Sequence, residues 1–331
     1  MPEKQRISAR PFISWALALL VLLFLFFTLA RFDARNLLHS IRQISLLPLA
    51  ALLLAQIATQ LLVNLQWHIT AKSAGAPVSF WEMFRINCSG ALMDSITPGV
   101  KIGGEITRAV LIGRATACSG EQAAAIVALQ KVFSLGAFFL INLFAAAYVI
   151  QAASFFQTPA ARLSVYGILL LFLIFFACLL IIPARLKALV QAREKARFAW
   201  MARVRNFFLG FLDSIISIRG NAKICAALFL LSLFIWLLYP AKMYLLAVLF
   251  SPSVDILFLA AVTFVSYLAA MVPIFPGGLG AFEGTMSALL LTMGFEHSDA
   301  LVITVIFRFA TFWFVMLGSL CFIGVYKATR R

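Results

Sequence analysis

The chain has 331 residues, of which 63% are hydrophobic and only 12% charged, and its mean hydropathy is +1.02. That much apolar surface cannot be hidden in a soluble core, so water is excluded as the main solvent and an all-α polytopic membrane protein is expected. The formal charge of +15 invites a nucleic-acid partner, but most of it flanks apolar runs, where the positive-inside rule accounts for it, so no nucleic acid is expected.

Taken in chain order, runs near the roughly 20 residues needed to cross hydrocarbon fall at 12–30, 46–67, 122–150, 163–183, 223–250 and 299–326, about six full spans. The first follows Lys4, Arg6 and Arg10, but its apolar run is long for a signal peptide, and it reads as a retained anchor. In the second, Gln56, Gln60 and Asn64 recur every fourth residue and share one helix face, to line a groove or to hydrogen-bond neighbouring helices. Basic residues cluster at the N-terminus, after the fourth span (Arg185, Lys187, Arg193, Lys195, Arg197, Arg203, Arg205) and in the tail (Lys327, Arg330, Arg331), whereas 251–255 and 294–299 have none. Both termini are therefore expected on the cytoplasmic side of a bacterial-type inner membrane.

Between these spans lie two interrupted apolar stretches. Residues 83–113 are broken at Thr97-Pro98-Gly99-Val100-Lys101-Ile102-Gly103-Gly104-Glu105, and residues 256–293 at Pro273-Ile274-Phe275-Pro276-Gly277-Gly278-Leu279-Gly280-Ala281-Phe282-Glu283. Proline removes a donor and glycine frees φ, so each stretch reads as helix, break, helix. The freed backbone groups would cost several kcal/mol apiece in lipid, so the breaks are expected inside the bundle or along a watery cavity. Gly99/Gly103 and Gly280/Gly284 also read as GxxxG, interpreted as close packing around the breaks rather than dimerisation.

The breaks resemble each other. Pro98 precedes Glu105 by seven positions and Pro276 precedes Glu283 by seven; Lys131 follows 26 after the first Glu and Arg308 25 after the second. The expected organisation is two half-repeats, 44–183 and 223–326, joined by a connector at 184–222. With the orientation above, the hairpins re-enter from opposite faces as an inverted repeat; the alternative is four short crossings, which gives ten spans and the same side for the termini. In the connector, basic residues alternate with Phe198, Trp200, Phe207, Phe208 and Phe211, a pattern that fits an interfacial helix on the anionic leaflet or a docking site for a partner enzyme. Pro240 is expected to kink the fifth span beside Lys242, a buried or snorkelling cation.

Each charge at the bilayer centre costs about 2.5–3.5 kcal/mol. Glu105, Lys131, Glu283 and Arg308 should therefore face the interior, with Lys101 and Arg108 as weaker candidates marking the cytoplasmic end of the first hairpin. They either hold an anionic headgroup with the freed amides or form static ion pairs locking the halves together. Cations outnumber acids in this set, which motivates the anionic preference. The five cysteines and three histidines have no ligand spacing, so no metal, cofactor or disulfide is expected. With neither a P-loop nor a nucleophile–base pairing, the chain is not expected to be an enzyme.

The element Pro98-Gly99-x-x-x-Gly103-Gly104-Glu105, followed by Thr107-Arg108-Ala109, and the later Pro273-x-x-Pro276-Gly277-Gly278-x-Gly280-x-x-Glu283-Gly284 resemble the membrane region of bacterial lysylphosphatidylglycerol synthases and its stand-alone relatives. The resemblance covers residues 46–326. It implies a flippase-like domain that moves a lipid between leaflets, without the aminoacyltransferase domain that follows in the synthases. The chain departs from the family's pattern at Gln130-Lys131 and Leu135, where many relatives carry an acidic-basic pair with a nearby acid. A non-catalytic accessory subunit of a lipid- or glycan-modifying enzyme is the alternative function.

Overall fold

The computed structural model describes residues 46–97, 102–152, 158–192, 199–219, 221–251, 253–271 and 276–329. The expected first span lies outside them, as do Pro98, Gly99, Lys101, Pro273 and the basic residues Arg193, Lys195, Arg197, Arg330 and Arg331.

The described residues are helical. α1 (Leu46–Ser73) is followed by a hairpin of α2 (Phe80–Ile96) and α3 (Ile102–Thr116), then α4 (Gly120–Ala152) and α5 (Pro159–Ile181). The connector forms α6 (Pro183–Ala192) and α7 (Ala199–Arg219). α8 (Ala222–Ala247) precedes a second hairpin of α9 (Ile256–Ala270) and α10 (Ala281–Thr292), joined by a 3-10 turn at Pro276–Gly278. The chain ends in α11 (His297–Arg308) and α12 (Phe314–Ala328), continuous through a π turn at Phe309–Trp313.

Among the described residues, four helices are long and apolar enough to cross a membrane, namely α1, α4, α8 and the joined α11–α12. The bent pair α5–α6, whose axis turns by 79°, makes a fifth if it is one broken span. The hairpin arms have 17, 15, 15 and 12 residues. At 1.5 Å per residue they reach about 18–26 Å, short of the roughly 30 Å of hydrocarbon.

Local chemistry starts several of these helices. Ser79 caps α2, accepting from the Glu82 amide at 3.4 Å, and Asp255 caps α9, accepting from Leu257 and Phe258 at 2.9 and 3.1 Å. The Asp255 carboxyl also accepts from the Tyr148 hydroxyl. Those bonds, the tyrosine's first and then the amides of Phe258 and Leu257, hold it below the usual carboxylate range.

The packing reverses that of a soluble protein. On α1, Gln56, Thr59, Asn64 and Gln66 are buried while Leu54, Ile57 and Leu61 face outward, Leu54 at 65% exposure. Polar groups meet inside and apolar ones meet lipid, the arrangement hydrocarbon imposes. α1 and α8 run antiparallel: Gln66 Nε2 donates to Ser232 Oγ at 2.5 Å, and ten residues back along α1 Gln56 meets Lys242, ten residues on along α8. Gln130 of α4 joins the first contact, donating to Gln66 Oε1 at 3.0 Å. Asn64 donates to the Phe80 carbonyl at 3.0 Å and accepts from Asn87 at 2.8 Å, so the ends of the Gln56–Asn64 stripe serve as interhelical glue.

Helices distant in sequence pack together. α2 packs on α12, α9 packs on α4, and the 3-10 turn rests on α2. One apolar cluster joins Leu129, Phe133 and Phe138 of α4 to Phe211 and Ile215 of α7, Leu228 of α8 and Phe264 of α9. Phe211, Leu212 and Ile215 of α7 are thus buried in the cluster with α4. On the far side of α7, Met201, Val204 and Phe208 remain exposed. α8 continues as one helix through Pro240.

Candidate functional site

Each helical break presents a charged cluster. In the first, Glu105 occupies the opening turn of α3, and its Oε1 lies 2.6 Å from Lys131 Nζ on α4. The expected pair is present, and two residues extend it. Arg108 Nη1 lies 3.1 Å from Glu105 Oε1 and 3.1 Å from Asp94 Oδ2 on α2. Asp94 Oδ1 in turn accepts from the Gly104 amide at 3.1 Å.

Glycines make this geometry possible. A Cβ at Gly104 would stand 2.1 Å from Asp94 Oδ1, one at Gly103 would stand 2.4 Å from Thr97 Oγ1, and one at Gly90 would stand 2.6 Å from Arg108 Cζ. The arginine therefore lies across the bare backbone of α2, with Cζ 5.5 Å from the Trp67 ring centroid. At 8% exposure, Arg108 belongs to the buried network, where Asp94 and Glu105 draw it inward.

The second cluster is built from backbone. Gly277, Gly278 and Gly280 adopt φ of +62°, +70° and +83°, a region that side chains with a Cβ avoid. A Cβ on Gly278 would also meet the Ala270 carbonyl oxygen at 2.7 Å. Glu283 then closes the start of α10, its Oε2 accepting from the Gly280 amide at 2.7 Å. Arg308 Nε lies 2.9 Å from Glu283 Oε1, and its Nη2 donates to the Gly277 carbonyl. The guanidinium is clamped between Phe282 and Phe312, 4.8 and 4.4 Å from the ring centroids. The π turn begins at the next residue, Phe309, and aims Phe312 back at the arginine.

The expected Gly280/Gly284 packing pair does not form. A Cβ on Gly284 would meet nothing within 4 Å, and Gly280 serves its positive φ instead. The excess of cations also disappears. Asp94, Glu105 and Glu283 face Arg108, Lys131 and Arg308, three acids against three bases among the described residues. Asp94 went unrecognised in the sequence because it sits 14 positions before its arginine on another helix; an acid inside the apolar run Ala91-Leu92-Met93 was its signal.

Both clusters repeat one motif. A carboxylate accepts from a backbone amide at the start of a helix and is paired with a buried guanidinium: Asp94 with Gly104 and Arg108, Glu283 with Gly280 and Arg308. Arg308 Nε already faces Glu283 Oε1 at 2.9 Å, whereas Arg108 Nε is buried with no hydrogen-bond partner among the described residues.

Inward polar groups, outward leucines and broken helices with charged turns define an all-α polytopic membrane protein. Residues 13–319 match the family described as the lysylphosphatidylglycerol synthase TM region, and the chain belongs to that family. It is also similar to a UPF0104 membrane protein of Methanothermobacter thermautotrophicus, 24% identical over 264 residues that cover 77% of this chain and 78% of the relative. A UPF0104 membrane protein of Pyrococcus horikoshii is 24% identical over 280 residues, covering 77% and 80%.

Proposed function

We propose that the protein is a lipid translocator of the inverted-repeat type, moving an anionic or phosphate-bearing lipid between leaflets without transforming it. The observation that carries this reading is the repeated motif of a carboxylate held by a helix-start amide and a buried arginine. An amide at a helix N-terminus beside a guanidinium is an anion site, and in each break it is occupied by an internal anion, Asp94 or Glu283. A lipid phosphate replaces that carboxylate, taking the same amide and the guanidinium contact the carboxylate gives up, while its acyl chains stay in hydrocarbon. The anionic preference thus rests on donors that anions share, since the charges themselves balance.

The short hairpin arms and the exchanged packing of α2 on α12 and α9 on α4 support hairpins that re-enter from opposite faces, with both termini cytoplasmic in an inner membrane. Non-helical backbone at membrane depth then lines the path of the headgroup.

The test is leaflet exchange of labelled anionic and neutral lipids in vesicles containing the purified protein, compared with Glu283→Gln and Arg308→Ala. Wild type is expected to move anionic lipid and both variants to lose that movement while remaining monodisperse. Equal rates in vesicles with and without protein reject the reading.

A further inference from the structure

Lys242 lies outside both charged clusters and is 1% exposed. Its Nζ donates to Gln56 Oε1 and, at 3.1 Å, to Thr59 Oγ1, both on α1, and stands 4.1 Å from the Tyr239 ring centroid. The three donors of an ammonium thus meet three neutral acceptors. By contrast, Arg108, Lys131 and Arg308 each have a carboxylate oxygen at 3.1 Å or less. No described carboxylate pairs with Lys242.

The neighbouring helices supply no counter-ion. α1 presents the neutral Gln56 and Thr59, and α9 presents Tyr267, whose ring lies 5.0 Å from Tyr239. α11 contributes Arg308, already paired with Glu283, while Lys131 of α4 and Asp213 of α7 are engaged with Glu105 and Lys187. A cation kept only for stability would gain most from a carboxylate, which no described residue supplies here.

The pocket instead accommodates both protonation states. The Thr59 hydroxyl donates to the Ala55 carbonyl at 2.7 Å, so its oxygen always faces the lysine as an acceptor. Gln56 Nε2 is buried without a hydrogen-bond partner. A half-turn of that amide exchanges Oε1 for Nε2 and offers a donor to the lone pair of a neutral amine, which still donates to Thr59. The ammonium releases its proton to water and the amine recovers one from water; no other group changes.

We propose that Lys242 is a proton-binding site between α1 and α8, loaded and unloaded during the translocation cycle, which couples lipid movement to a proton gradient; this rests on the translocator reading. A contiguous series of rings carries its state to the second cluster. Tyr239 meets Tyr267 at 5.0 Å, Tyr267 meets Phe282 at 5.0 Å, and Phe282 lies 4.8 Å from the Arg308 guanidinium.

Two measurements decide it. The first is the melting temperature of the protein in phosphatidylglycerol nanodiscs between about pH 5 and 9, comparing wild type with Lys242→Met, or with Lys242→Gln if the Met variant fails to insert. The difference between the curves is expected to change slope within that range, and a constant difference overturns the site. The second is leaflet exchange of labelled phosphatidylglycerol with and without an imposed pH gradient, with an enclosed pH dye reporting proton flux. Wild type is expected to change rate several-fold with the gradient. Lys242→Met and Lys242→Arg, neither of which cycles a proton, are expected to give a ratio near one, and retention of the wild-type ratio overturns the coupling. Vesicles in which wild type moves no lipid reject the translocator reading and the coupling together, and the nanodisc curves still decide whether Lys242 binds a proton.

Discussion

The two breaks solve one problem by different means. At the first, four side chains from three helices share the charge: Asp94 and Glu105 both reach Arg108, and Lys131 adds a second cation. At the second, one ion pair is fixed by backbone and rings, with Gly277, Gly280, Phe282 and Phe312 around a single Glu283–Arg308 contact. The first is redundant, so losing one carboxylate leaves another on Arg108. The second has no spare member, and its geometry depends on glycines that accept no substitute.

The largest effect is expected from Arg308→Ala. It strands the Glu283 carboxylate, removes a donor from the Gly277 carbonyl and empties the space between two rings. Removing one partner of a buried pair costs about 3–5 kcal/mol, which thermal unfolding in detergent measures alongside loss of lipid exchange. A variant as stable as wild type would show that neither the ion pair nor the aromatic clamp on Arg308 holds this turn.

Next comes glycine substitution, which separates backbone from side-chain construction. Gly278→Ala must adopt φ near +70° against the fixed Ala270 carbonyl and is expected to lose about 1–3 kcal/mol. Gly104→Ala meets only the movable Asp94 carboxylate, so it is expected to cost less in stability while detaching Asp94 from its amide. The ratio of the two losses, read from melting curves, should favour Gly278→Ala.

Smaller still is the effect of neutralising Glu105. Because Asp94 remains on Arg108, Glu105→Gln is expected to lower lipid exchange only several-fold, whereas the double variant with Asp94→Asn loses far more than the two singles combined. Additive losses would break the contrast between a shared network and a single pair.

The smallest effect lies at the edge, where Tyr148 and two amides hold the Asp255 carboxyl low. A carboxyl depressed in the folded state contributes stability above its unfolded value, near 3.9, and that contribution disappears as pH falls through the lower folded value. Tyr148→Phe is expected to lower stability slightly at neutral pH, to leave it unchanged below the folded carboxyl value, and to move acid unfolding to slightly higher pH, as a circular-dichroism titration would show.

Much of this was legible in the sequence because hydrocarbon imposes crude and local demands. A span must be about 20 apolar residues, and clustered Pro and Gly must end a helix. The spans, the two breaks and the pairs Glu105–Lys131 and Glu283–Arg308 follow from those rules, the pairs because a lone buried charge is costly enough to demand a partner. Arg108 was visible as a charge, but its place in the network depended on Asp94 of another helix and on the bare backbone at Gly90, neither of which leaves a periodic trace.

The sequence by itself determined that the chain is an all-helical membrane protein with two similar Pro-Gly breaks, because hydropathy, helix-breaking residues and intramembrane charges act through neighbours a few positions apart. Only the tertiary structure decided which groups meet: α2 on α12, α9 on α4, α7 turned inward onto α4, and Lys242 against Gln56 and Thr59 with no acid beside it. Those contacts join residues up to 244 positions apart, as Tyr326 and Glu82 are. Their partners are chosen by shape and by which polar atoms remain to be satisfied once the helices pack, and that choice exists only in three dimensions.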